Sequence, residues 1–102
     1  GIIGLTKQAA CVYAEHGITI NAICPGVIAT EIRKNSEAVL GADAPNMQRG
    51  VGVDPEAFKR NVPAKRRGSP KEVGDAVVYL ASEQAGYING QALAIDGGWT
   101  AT

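Results

Sequence analysis

The sequence predicts an α/β fold organised around a parallel sheet, and three observations predict it. Two short aliphatic runs, Ile18–Cys24 and Gln91–Ile95, stop at Pro25-Gly26 and Asp96-Gly97-Gly98, as strands stop at turn residues. Between them lies an amphipathic helical pattern with its own start signal, so the connection is a crossover and the strands must run parallel. A second helical pattern leads directly into the first run. The expected order is helix, strand, long loop, helix, strand.

The first helix is predicted over Ile2–His16. Ile2, Leu5, Ala9, Val12 and Tyr13 recur at helical spacing, and Gly17 follows as a stop, since glycine takes the left-handed conformation cheaply. Small Gly4, Ala9, Ala10 and Ala14 would let another helix approach closely. No capping residue precedes Ile2, so the chain is expected to begin inside a helix, as a cut would leave it. Glu31–Val62 is polar and glycine-containing, with weak helical stretches at Glu31–Leu40 and Pro55–Asn61. So long a loop inside a small domain reads as a lid or binding loop. The helix over Ser69–Ser82 has the strongest signals. Ser69 is a good N-cap, Pro70 suits the first helical position, and Glu72 completes a capping box. Val73, Ala76, Val77 and Leu80 then form a single apolar stripe. In such a layout one sheet face and one edge of the first strand lack a cover, half of an α/β layer architecture.

Composition narrows the function. The 102 residues suffice for one small domain, residues 1–102, and apolar residues make up 45%, enough for a core. Ten basic and ten acidic residues cancel, which argues against nucleic acid and against a polybasic membrane anchor. No apolar run approaches a membrane span, and the start lacks the basic region of a signal peptide. Cys11 and Cys24 form no C-x-x-C pair and are expected to be buried free thiols, with a disulfide or metal site as alternatives. His16, the single histidine, is read as a surface residue near helix C-terminal carbonyls. No metal site is expected.

Three segments carry more specific information. Ile20-Asn21-Ala22-Ile23-Cys24-Pro25-Gly26-Val27-Ile28-Ala29-Thr30 ends a buried strand at a Pro-Gly turn. It thereby exposes backbone groups at the carboxyl end of a parallel sheet, where open α/β folds bind ligands. Gly26 would let a flat ring approach the backbone. The plain alternative is a strand-to-loop turn with Thr30 as a helix cap. Pro63 with Lys65-Arg66-Arg67-Gly68-Ser69-Pro70-Lys71-Glu72-Val73 is a proline-to-helix entry with a structural Arg66 or Arg67 and solvated Lys65 and Lys71. Its rival is a basic patch before a DNA-recognition helix. The third segment runs from Leu80-Ala81-Ser82 through Tyr87-Ile88-Asn89-Gly90 to Asp96-Gly97-Gly98. Asn89-Gly90 there could instead turn a hairpin pairing Gly86–Ile88 with Gln91–Leu93. Asp96-Gly97-Gly98 reads as a structural turn, with a phosphate or metal loop as its alternative. Trp99 reads as a packing or subunit-contact residue.

In this order and spacing the segments resemble the N-A-x-x-P-G-x-I/V-x-T, P-x-x-R-x-x-x-P-x-E/D-V/I and D-G-G motifs of short-chain dehydrogenases/reductases. The resemblance covers the whole chain and implies the C-terminal part of a Rossmann-type doubly wound parallel sheet. It implies NAD or NADP as cofactor, held by Pro25 and Gly26 beside the nicotinamide ring, by Ile28 through its backbone to the carboxamide, and by the Thr30 hydroxyl. It further implies interconversion of a small-molecule alcohol and ketone, with residues 31–62 as substrate lid, faintly closer to sugar and polyol dehydrogenases than to 3-oxoacyl reductases. A cytoplasmic homo-oligomer, usually a tetramer, is implied as well. The family's T-G-x-x-x-G-x-G fingerprint and its Ser, Tyr and Lys are absent. Tyr and Lys would fall before Gly1, and Tyr13 and Lys7 stand in the wrong order to replace them. The chain as given is therefore expected to be inactive alone, and a non-catalytic βαβ interaction module is the alternative function.

Overall fold

The computed structural model describes residues 1–30, 38–41 and 55–102. The described elements are α1 (Ile2–Tyr13), β1 (Ala22–Pro25), α2 (Pro55–Asn61), α3 (Pro70–Leu80) and β2 (Ala92–Ile95). Single 3-10 turns follow α1, α3 and β2 at Ala14–His16, Glu83–Ala85 and Trp99–Ala101. β1 and β2 pair parallel, with Ala22 opposite Ala92 and Pro25 opposite Ile95, as the crossover requires. The chain divides into two compact units, one of Gly1–Pro25 with Lys71–Ile95 and one of Gly26–Pro70 with Asp96–Thr102.

In the first unit α1 lies against β1, but through the face beside the one its periodicity predicts. Thr6 and Ala10 are buried, whereas Ile2 and Leu5 are 76% and 68% exposed. The small residues set the approach, because a short side chain lets the helix backbone come closest. The Thr6 hydroxyl, buried by that approach, donates to the Ile2 carbonyl at 2.8 Å, which satisfies it within the helix. Gly17, at φ 75°, ends the helical segment as expected. Cys11 and Cys24 are free. Cys11 is exposed rather than buried, since it rides on the outward side of α1.

Both strands are shorter than predicted, and two asparagines explain where they start. The Asn89 carboxamide oxygen accepts the Ile20 N–H at 2.9 Å, and its NH2 donates to the Ala10 carbonyl at 3.2 Å. The Asn21 carboxamide accepts the Gln91 N–H at 3.0 Å and donates to the Ile88 carbonyl at 3.0 Å. Gly90 N–H reaches the Ile20 carbonyl at 2.8 Å. Side chains thus take the Ile20 and Gln91 N–H groups and the Ile88 carbonyl before the ladder begins at Ala22. These bonds exclude the hairpin alternative, since Asn89-Gly90 joins β2's lead-in to β1's. α3 begins at Pro70 with Glu72 in its first turn, close to prediction. Its stripe is only partly covered: Val73, Ala76 and Leu80 are half-buried and Val77 is exposed.

In the second unit, made of Gly26–Pro70 and Asp96–Thr102, three strips far apart in sequence come together. Val62, 2% exposed, is its buried anchor. Gly97 and Gly98 take left-handed φ of 65° and 94°, and a Cβ on Gly97 would come within 2.8 Å of Val62 and 3.0 Å of Ala64. A Cβ on Gly98 would meet Pro63 at 3.2 Å. The Ala64 N–H donates to the Gly97 carbonyl at 3.0 Å. The Asp-Gly-Gly turn is therefore a packing device, as its structural reading predicts. α2 occupies Pro55–Asn61 as expected, while the rest of the region read as a lid, apart from residues 38–41 and Val62, lies outside the described residues.

Candidate functional site at the end of the first strand

Pro25 closes β1 and is exposed. As a strand's last residue, it interrupts no further pairing. Gly26 follows it into the second unit, where its missing side chain is accounted for by the protein itself. A Cβ there would lie 2.6 Å from the Asp96 Cβ and 2.9 Å from its Cα, both far inside van der Waals contact. The space that glycine frees on that side is filled by Asp96, not left for a ring.

Ile28 forms an isolated parallel bridge with Gly68. The Gly68 N–H donates to the Val27 carbonyl and the Ala29 N–H to the Gly68 carbonyl, both at 2.9 Å. In that pattern the N–H and C=O of Ile28 itself face away from Gly68, and no described residue hydrogen-bonds to them. The result is one donor and one acceptor side by side on a half-buried residue just beyond the carboxyl end of a parallel strand. Thr30 is exposed. Whether it caps a helix is a matter of residues 31–33, outside the described ones.

Asp96 is the site's best-connected side chain. Its Oδ1 accepts the Gly98 N–H at 3.0 Å, and its Oδ2 accepts the Thr100 N–H at 3.1 Å and the Thr100 hydroxyl at 2.6 Å. These bonds favour the charged form. The Thr100 hydroxyl first, then the Thr100 amide and, more weakly, the Gly98 amide, hold the carboxyl below the ordinary carboxylate range, against desolvation. Neither Gly68 nor Asp96 carries a site role in the sequence reading. Gly68, directly before the Ser69-Pro70 helix start, offered a faint signal; the partnership of Gly26 with Asp96 offered none.

The basic stretch folds onto itself. The Lys65 ammonium donates to the Lys59 carbonyl, Arg66 donates to the Arg67 carbonyl at 3.1 Å, and Lys71 pairs with Asp75 at 2.7 Å. Lys65 itself turns at φ 61°, with its N–H on the Val62 carbonyl. Lys7 and Tyr13 are exposed on α1. His16 is exposed, its ring 3.6 Å from the Glu15 carboxylate. Among the described residues no group of three or more His, Cys, Asp or Glu is placed to hold a metal ion, and no helix is long and apolar enough to cross a membrane.

The sequence model of the family described as enoyl-(acyl carrier protein) reductase matches residues 1–100. The chain belongs to the short-chain dehydrogenase/reductase family. Over 100 residues it is 44% identical to 3beta-hydroxysteroid dehydrogenase 2 of Eggerthella lenta, covering 98% of this chain and 35% of that protein. It is 41% identical over 98 residues to the 3-oxoacyl-(acyl-carrier-protein) reductase FabG of Vibrio harveyi, covering 96% and 34%. The chain thus spans about a third of the length of these relatives. Among solved structures it resembles a candidate 2-deoxy-d-gluconate 3-dehydrogenase from Agrobacterium tumefaciens with bound NADP, at a TM-score of 0.76 and 34% identity, covering 100% of this chain and 37% of that one. It also resembles 4-hydroxyisoleucine dehydrogenase complexed with NADH, at a TM-score of 0.73 and 35% identity, covering 98% and 35%. As in those family members, the architecture is Rossmann-type α/β.

Proposed function

We propose that this chain forms the nicotinamide end of the cofactor site in an NAD- or NADP-dependent oxidoreductase that interconverts an alcohol and a ketone. The observation that carries the proposal is the outward N–H and C=O of Ile28. A primary carboxamide has one carbonyl acceptor and an NH2 donor, the complement of what Ile28 offers. Solved relatives with NADP and NADH support the choice of cofactor. Bound nicotinamide would supply or accept the hydride. In this chain Ile28 would orient the carboxamide and Thr30 would add a hydroxyl, with Pro25 and Gly26 leading the backbone to them. Orientation of this kind fixes which ring face meets the substrate.

The substrate belongs to the same proposal. It is a small-molecule alcohol or ketone, of sugar, polyol or 3-oxoacyl type, with residues 31–62 as the lid over it. The proposal extends to a cytoplasmic homo-tetramer. The exposed Ile2, Leu5, Val12 and Tyr13 of α1 support an assembled state, because contiguous apolar surface on a monomer marks an interaction site. They equally favour the alternative of a non-catalytic interaction module, which would assemble and bind no dinucleotide.

Thr30→Val decides between these. It keeps the shape and removes the hydroxyl, and losing one hydrogen bond to a polar partner costs about 1–3 kcal/mol. In the intact protein that carries this chain, calorimetric titration should show NADH affinity reduced roughly five- to a hundredfold. Cys11→Ser, exposed on α1, is the control. Unchanged NADH affinity in Thr30→Val would leave Thr30 a helix cap and remove the side-chain support for the cofactor reading.

A further inference from the structure

Three strips meet in the second unit, and Asp96 stands where they join. Its Cα and Cβ press on Gly26. Its carboxylate gathers the Gly98 and Thr100 amides and the Thr100 hydroxyl into one turn. The same turn carries the Gly97 carbonyl that takes the Ala64 N–H, and Gly97 and Gly98 that fit against Val62 and Pro63. The strip from Val62 runs on to Gly68, whose N–H and carbonyl hold Val27 and Ala29. The turn therefore touches the Gly26–Thr30 segment at its start and, through Ala64 and Gly68, braces it along its flank.

We propose that Asp96 is a positioning residue for the Gly26–Thr30 segment: by fixing the turn that abuts Gly26 and braces the Gly68 strip, it sets where the N–H and C=O of Ile28 that face away from Gly68 point. This rests on the reading of Ile28 as the nicotinamide contact. Asp96 touches no ligand in this scheme; it acts through Gly26 and Gly68. The carboxylate suits the task because one side chain can accept three hydrogen bonds at once. Charge-assisted bonds are also the strong ones. An asparagine in its place must turn its NH2 toward one of the donors.

The test compares NADH with ADP-ribose, the same dinucleotide without the nicotinamide, in the intact protein. A residue that only stabilises the fold weakens both probes together. A residue that aims Ile28 weakens NADH alone. Asp96→Ala should lower NADH affinity about tenfold and Asp96→Asn by less, with ADP-ribose binding held within about twofold. Thr100→Val, which removes one of the three donors, should move NADH affinity in the same direction, and Thr100→Ser should restore it. Equal losses for both probes, or no loss in any of these variants, would overturn the proposal. If Asp96→Ala does not fold, Thr100→Val and Thr100→Ser carry the same comparison. Thr30→Val separates the two layers of the argument. Weakened NADH binding there with Asp96 and Thr100 variants unaffected overturns this inference alone, whereas a parent protein that binds NADH no more tightly than ADP-ribose overturns the nicotinamide reading and this inference with it.

Discussion

At Gly26 a hydrogen stands where any other residue would drive a methyl into the Asp96 backbone, and this gives the position a measurable consequence. Gly26→Ala forces either the strand end or the Asp96 turn to shift, because the obstacle is Cα and Cβ rather than a movable chain end. Overpacking of this kind costs about 1–3 kcal/mol. Gly68→Ala meets the Ile28 Cδ1 methyl at 2.8 Å, and a terminal methyl can rotate away. The expected result is a clear fall in the urea midpoint for Gly26→Ala, with the slope unchanged, and a smaller one for Gly68→Ala. Equal shifts would mean that Asp96 yields as readily as a side chain. The end of the strand at Pro25-Gly26 was legible in the sequence because strand and turn residues are contiguous. The reason for its glycine was not, because the contact that demands it comes from the far end of the chain.

The elements themselves were legible where local chemistry decides them. Proline at the first helical position and Glu72 in the first turn placed the start of α3 within a residue, and Gly17 placed the end of the α1 segment. Periodicity misread α1's buried face, since the spacing of large residues says that a helix is amphipathic but not which face a neighbour covers. Here closeness of approach selected Thr6 and Ala10. The strand starts were hidden for a related reason: Asn21 and Asn89 replace ladder bonds with side-chain bonds, and neither residue announces a partner. Asn89→Ala should leave the Ile20 N–H without its acceptor and remove the tie between α1 and β1. The expected loss is about 1–3 kcal/mol, read by chemical denaturation. Hydrogen exchange should show faster exchange at the Ile20 and Gly90 amides than in the parent protein. A variant as stable as the parent would mean that the asparagine merely follows a path set by the strands.

At the scale of the molecule, the described residues bury few large apolar side chains. Val62 is the single large side chain among them that is fully enclosed, while Ile2, Leu5, Val78 and Tyr87 are 76%, 68%, 70% and 103% exposed. The half-layer picture predicted this, since it followed from counting elements rather than from any one residue. Surface of this kind drives association. The 102-residue chain studied alone is expected to elute as concentration-dependent assemblies and to melt broadly. Size-exclusion chromatography with light scattering across a dilution series checks it, and a monodisperse monomer with a sharp cooperative melt would contradict it.

The asparagine bonds have a further meaning in time. They join residues 69, 67 and 70 apart, so none of them can form until a long stretch of chain has closed into a loop. Closure must precede any reward from pairing, whereas α1 and α3 need only their neighbours. The helices are therefore expected to assemble first and the sheet last. The cost of that closure rises only with the logarithm of length, about 0.6 kcal/mol for each doubling. An insertion between β1 and α3 would thus slow folding more than it would weaken the folded state, leaving that stretch free to vary in length.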